Sequence, residues 1–114
     1  MQKNQISRQE YVRRLLDAYR TTPGTTGRVR REDRRLAAQL YEQIVPLTAV
    51  ENALVLATAR RLLRPEDAPP LAPVRSLHYF RAVIDEVMKS TMNDEYFHYL
   101  RRKIAEIGNT KTKL

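Results

Sequence analysis

Five arginines, Arg28, Arg30, Arg31, Arg34 and Arg35, stand around two acids, Glu32 and Asp33. Arginine presents a planar fork of donors that grips a phosphate at two points, where lysine acts as a point charge. The cluster follows a turn-forming stretch, Thr21-Thr22-Pro23-Gly24 with Gly27 beyond it, and runs into a helical pattern. A glycine-containing loop that opens a helix offers free backbone N–H groups, and these favour an anion. The chemistry expected of this stretch is phosphate contact. The alternative is a solvated face partly neutralised by its own Glu32 and Asp33.

Further basic groups repeat the theme. Arg60, Arg61 and Arg64 close an apolar segment, where the helix dipole favours cations and a structural role competes with phosphate contact. Arg75 and Arg81 flank a later helical pattern, Arg101, Arg102 and Lys103 sit on the last one, and Lys111 and Lys113 lie in the tail. Convergence of three of these groups on one side would make a nucleic-acid groove. Across the 114 residues, 21 basic side chains against 13 acidic ones give a net charge of +8, and 16 of the 21 are arginine. Such a balance also fits a membrane-surface or ribosome-associated protein, but the weighting towards arginine points to nucleic acid.

Other chemistries find little support. With no cysteine, disulfides and thiolate metal sites are excluded. The two histidines, His78 and His98, have no acidic pair at ligand spacing, so no metal site is expected. No serine sits in a nucleophile context, and Asp85 and Glu86, adjacent on a helix, point in different directions. There is no glycine-rich loop of the nucleotide-hydrolase kind. The expectation is a protein that is not an enzyme and uses no cofactor. The aromatic sets His78-Tyr79-Phe80 and Tyr96-Phe97-His98-Tyr99 invite a base-stacking role. By helical spacing, however, Phe80 and Phe97 belong in the core, and Tyr79, Tyr96 and Tyr99 pack with exposed hydroxyls.

The elements that must position these groups are helical. Residues 47–63, LTAVENALVLATARRLL, are apolar on almost every side between Ala53 and Ala59, broken only by Thr58. Such a helix needs neighbours all round rather than one buried stripe, so it is expected to be the centre of the fold. Thr48 and Glu51 have capping-box spacing, with Pro46 ahead and Pro65 behind. A first helix is expected from Ser7, with Glu10 completing a capping box and Ile6 and Tyr11 forming a hydrophobic staple, to about Arg20. A second runs from Arg30 or Arg31 to Ile44 on a Leu36, Leu40, Ile44 stripe, and pairs with the central helix as a tight hairpin. Four prolines between Pro65 and Pro73 make an extended strap at 65–74, with Leu71 and Val74 as anchors. A fourth helix opens at Ser76 with Leu77, Phe80, Val83, Ile84, Val87 and Met88 inward. A fifth opens at Asn93 or Asp94 with Tyr96, Phe97, Leu100, Ile104 and Ile107 inward, and is closed by Gly108. The fold expected is all-α: a compact bundle of about five helices in one domain over residues 1–108, with a flexible basic tail at 109–114. No apolar run reaches the ~20 residues that span a bilayer, and MQKNQIS lacks the apolar stretch of a secretory leader. A cytoplasmic protein without membrane contact is expected.

The segment at residues 76–87, SLHYFRAVIDEV, resembles the signature helix of DnaD-like replication domains. Tyr79-Phe80, Val83-Ile84 and Val87 take the places of the family's Tyr-Ile, Ile-Leu and Trp. Pro46-Leu47-Thr48 leading into Val50-Glu51-Asn52-Ala53-Leu54 is similar to the family's hairpin and following helix, so the resemblance covers about residues 31–88. It implies a small helical module of bacterial primosome or mobile-element replication proteins, which bind DNA and help load a helicase. With no winged-helix pattern read ahead of the module, the expectation is a stand-alone accessory subunit.

The function expected is therefore a nucleic-acid-binding accessory module that contacts phosphate backbone with little sequence preference. Its partner would be single-stranded or deformed duplex DNA, or an RNA–DNA hybrid. A second expectation, resting on size and charge, is a small helical subunit of a larger nucleoprotein assembly. Examples are a CRISPR surveillance complex or a transposition complex, in which such a subunit forms homo-oligomers or larger protein contacts and lines a nucleic-acid path. A small regulator that binds another protein through its basic face ranks last.

Overall fold

The computed structural model describes residues 6–90 and 93–112, with side chains described as far as residue 107. Five α-helices and one short 3-10 turn build an all-α bundle, and among the described residues the one β contact is an isolated parallel bridge between Thr25 and Val74.

Helix α1 (Arg8–Arg20) starts where Ser7 predicts, with the Ser7 Oγ accepting the Glu10 N–H at 3.0 Å. The reciprocal half of the expected capping box is replaced. The Glu10 carboxylate instead accepts from the Arg13 guanidinium at 2.6 and 3.1 Å, a charge-assisted fork stronger than a neutral backbone bond. Ile6 packs on the core beside Tyr11, as a staple should.

Helix α2 (Arg31–Glu42) is shorter than its stripe suggests. The chain leaves the helix at Gln43, and Ile44 takes a left-handed φ of 61°. The Ile44 N–H donates to the Tyr41 carbonyl and the Val45 N–H to the Leu40 carbonyl, both at 3.0 Å. That is the paired-bond ending in which glycine is usual at the left-handed position. Ile44, expected on the buried stripe, is 83% exposed.

Helix α3 (Leu47–Leu62) is the hub, packing against α1, the 3-10 turn and the two later helices. Its entry departs from expectation. Pro46 occupies the cap position and its carbonyl accepts from the Ala49 and Val50 N–H groups at 3.0 and 3.3 Å. Thr48 thus lies inside the first turn, and the Thr48–Glu51 capping box does not form. Thr58 sits in the core because its Oγ1 donates to the Leu54 carbonyl at 2.7 Å, one turn back. The expected hairpin exists only as a tight connection. Beyond it α2 and α3 make few contacts with each other: both pack on α1 and the 3-10 turn, and α3 packs most heavily on the two later helices.

The strap crosses the surface in extended form. Val74 anchors it, buried and bridged to Thr25, whereas Leu71 is 45% exposed. Arginines hold the strap by its carbonyls at Pro69 and Ala72, so the leucine between them is not needed as an anchor.

Ser76 caps the next segment by accepting the His78 N–H at 3.1 Å, but that segment is the 3-10 turn Leu77–Phe80, followed by α4 (Arg81–Lys89). Ile84 is fully buried with Val83 and Val87 beside it, while Met88, expected inward, is exposed. Helix α5 (Asp94–Thr112) opens with Asn93 Oδ1 accepting the Tyr96 N–H at 2.9 Å. Phe97 and Leu100 bury against Leu56 and Ala59 of α3. Tyr96, expected on the inner side, is exposed. The backbone stays helical through Gly108 to Thr112, so the glycine does not close the helix. Residues 113–114 of the expected tail lie outside the described residues.

The main core joins Tyr11, Leu15 and Tyr19 of α1, Leu36 and Leu40 of α2, Val50 and Ala53 of α3, and Leu77, Phe80 and Ile84. Among the described residues, no helix is long and apolar enough to cross a membrane.

Candidate nucleic-acid interface

The arginine cluster is built around a buried acid. Asp33, in the first turn of α2, has no solvent exposure. Its Oδ2 accepts the Arg30 N–H at 2.8 Å and its Oδ1 accepts the Leu77 N–H at 2.9 Å. This one carboxylate caps α2 and pins the 3-10 turn to it, and it is turned away from the arginines' surface. The Tyr19 hydroxyl, buried nearby, has no hydrogen-bond partner among the described residues. Burial first, and then the Asp33 charge, push its pKa above the ordinary tyrosine value.

With Asp33 withdrawn, the surface charge is less balanced than the sequence suggests. Arg28, Arg30, Arg31, Arg34 and Arg35 are all exposed. None of them forms an ion pair among the described residues, and Glu32 is the one acid left in their midst.

Backbone contacts bring a second basic position to the same place. The Val74 N–H donates to the Gly24 carbonyl at 2.7 Å and the Thr26 N–H to the Val74 carbonyl at 2.9 Å. Arg75 follows directly and precedes the residues held by Asp33. It is fixed between the loop carrying Arg28 and Arg30 and the first turn of α2, with its side chain exposed and free of ion pairs among the described residues.

The group at the end of α3 serves a different purpose. Arg61 donates to the Ala72 carbonyl at 2.8 Å and to the Tyr79 hydroxyl at 3.1 Å, and its guanidinium lies 5.6 Å from the centre of the Tyr79 ring. The loop fits against it only through glycine: Gly24 has a φ of +90°, and a Cβ there would stand 3.3 Å from Arg61 Nε. Arg64 donates to the Pro69 carbonyl at 2.8 Å. Both arginines therefore clamp the strap. Arg60 is neutralised by a two-point pair with Glu86 of α4, at 2.8 and 2.5 Å, which lowers the Glu86 pKa and raises that of Arg60.

The C-terminal group is tied to other neighbours. Arg101 donates to Asn52 Oδ1 at 3.1 Å, fixing α5 to α3, although it also lies beside Thr22 and Pro23 at the edge of the arginine loop. Lys103 pairs with Glu106 at 3.8 Å and stands 6.0 Å from the Tyr99 ring centre. Arg102 is exposed. Of the aromatic candidates, Phe80 and Phe97 are buried as expected, and Tyr79 is exposed but already carries Arg61 against its ring. Among the described residues no group of His, Asp or Glu could hold a metal ion.

Sequence reading missed the crease between α1 and α2. It encloses about 920 Å³, floored by Val12, Leu16, Val29 and Ala38 and rimmed by Arg8, Arg13, Arg20 and Arg34. Arg20 and Arg13 share Asp17 at 3.0 and 3.3 Å, and Arg8 pairs with Glu42 at 3.3 Å, so Arg34 is the unpaired cation of the rim. The signal was present: Arg13 and Arg20, seven residues apart, lie two turns along one side of a helix. Only the pairing of α1 with α2 brings that side to Arg34. Comparisons with protein-family models, curated proteins and solved structures find no match for this chain.

Proposed function

We propose that this protein is a non-catalytic nucleic-acid-binding module that holds phosphate backbone with little sequence preference. One observation carries this reading: among the described residues the five exposed arginines, Arg28, Arg30, Arg31, Arg34 and Arg35, form no ion pair, and one of the two acids in their midst, Asp33, faces inward. Guanidinium groups not already engaged by carboxylates are the ones available to phosphates. Arg75 extends the same patch. Arg61 and Arg64 contribute by shaping the strap that positions it, and Arg60, Arg101, Arg102 and Lys103 are secondary. No base-reading motif is evident in the sequence, which favours single-stranded or deformed DNA, or an RNA–DNA hybrid, over a defined duplex site. The DnaD-like resemblance points to the same class and to a cytoplasmic role in replication or mobile-element biology.

The test is fluorescence anisotropy with labelled single-stranded and duplex DNA at two salt concentrations, on the wild type and on the triple variant Arg30→Ala/Arg31→Ala/Arg34→Ala. Salt-sensitive binding that the triple variant loses is expected, with affinity falling by roughly one log unit per log unit of salt for each phosphate neutralised. No binding by the folded protein, or binding indifferent to salt, would overturn the proposal.

A second reading, a small helical subunit of a larger nucleoprotein assembly of the CRISPR-surveillance or transposition kind, is favoured by exposed Ile44. Ile44 borders an apolar groove with Ile6, Tyr41 and Leu47, and a contiguous apolar patch is what subunit contacts use.

A further inference from the structure

Ile44 is an unexpected residue for its position in two respects. The left-handed conformation it adopts crowds a branched Cβ against the backbone, and glycine or asparagine would hold the same turn with less strain. At 83% exposure the side chain recovers nothing from the core in return. It stands at the edge of an apolar groove of about 430 Å³ whose walls are Ile6, Tyr11, Tyr41 and Leu47. The groove's lips carry one cation and one anion, Arg14 and Glu51. Neither forms an ion pair among the described residues.

We propose that this groove is the contact surface of a two-fold homodimer, in which Ile44 of each copy seats in the groove of the other. A two-fold interface must be self-complementary, each patch meeting its own copy. A projecting apolar side chain beside an apolar recess meets that condition in shape. Equal and opposite unpaired charges on the two lips meet it in charge, because in the proposed dimer a two-fold axis would set Arg14 of each copy against the partner's Glu51. The net charge of +8 does not oppose the contact. Helices α1 and α2 run antiparallel, with Arg8 against Glu42, so the groove lies at one end of α2 and Arg28, Arg30 and Arg31 at the other. Twelve helical residues separate them by roughly 18 Å. That distance exceeds the screening length at physiological ionic strength, about 8 Å. The dimer therefore joins two near-neutral ends and carries two arginine faces, one on each copy.

Sedimentation velocity on the free protein over a concentration series tests this without nucleic acid. The wild type is expected to dimerise with rising concentration, and Ile44→Asp to remain monomeric. Ile44→Gly separates the contact from the fold: it should lose dimerisation while melting, as dilute monomer, at or above the wild-type temperature. Arg14→Glu and Glu51→Arg should each weaken the dimer, and the double variant should restore it. Three outcomes would overturn the proposal: a wild type monomeric at all concentrations up to ~1 mM, a weak-affinity limit; a dimer that survives Ile44→Asp; or a double variant no better than the singles.

Discussion

The Leu77 N–H donates to Asp33 Oδ1 across 44 positions of sequence, and together with the local bond from the Arg30 N–H it turns the acid of the arginine cluster inward. Asp33 organises the end of the bundle while leaving the arginines' surface to Glu32. The two neighbouring acids should therefore respond oppositely to removal. Asp33→Ala leaves the Arg30 and Leu77 N–H groups without their acceptor and should cost about 2–4 kcal/mol in chemical denaturation. Glu32→Ala should change stability by no more than about 0.5 kcal/mol, and on the proposed function it should tighten nucleic-acid binding.

The same logic separates arginines that hold the fold from those that face solvent. Arg61→Ala removes two hydrogen bonds and a ring contact from the strap and should lower stability by about 1–3 kcal/mol. Arg31→Ala should leave the melting curve within about 0.5 kcal/mol of wild type. In anisotropy titrations Arg31→Ala should instead flatten the slope of log affinity against log salt, by about 0.9 if it neutralises one phosphate.

Along the strap, burial orders the expected losses. Val74→Ala removes two methyl groups from a buried position and should cost about 1–2 kcal/mol, whereas Leu71→Ala, at an exposed one, should cost under about 0.5 kcal/mol. Equal losses at the two positions would show that Leu71 anchors the segment as much as Val74 does.

Alkaline pH should destabilise the protein through Tyr11. Its hydroxyl donates to the Val45 carbonyl at 2.7 Å, and burial raises its pKa from 10.0 to about 12. A folded-state pKa above the unfolded value means that the folded chain holds the proton more tightly. The associated stability is fully present below pH 10 and is lost as pH rises towards 12, by up to roughly 2–3 kcal/mol. Denaturation midpoints measured from pH 8 to 12 should fall less steeply for Tyr11→Phe. Tyr19, raised in the same direction, keeps some of the slope.

Periodicity and local caps made much of this fold legible in sequence. Ser7 marked the first helix, the all-round apolar run marked α3 as the hub, and helical spacing placed Phe80 and Phe97 inside. What escaped is set by distant contacts or by the backbone. Ile44 continues a perfect i, i+4 stripe, but the chain must reverse before Pro46, and a left-handed residue accomplishes that there. Thr48 and Glu51 have the right spacing for a cap, yet the helix starts two residues too early to use them. Asp33 reads as a surface charge until residue 77 covers it. The arginine positions were visible, but the division between the clamps at Arg61 and Arg64 and the unpaired group at 28–35 depends on where the strap lies.

The parallel bridge between Thr25 and Val74 has a consequence for the order in which the molecule assembles. Helices α1 and α2 are neighbours in sequence and can dock early, whereas the arginine patch is complete only when residues about 50 positions apart have met. Closing that long loop costs more chain entropy than docking two neighbouring helices does. On a ribosome the patch cannot finish until residue 77 has emerged to occupy Asp33. A partly made chain thus carries the arginines' charge without their arrangement.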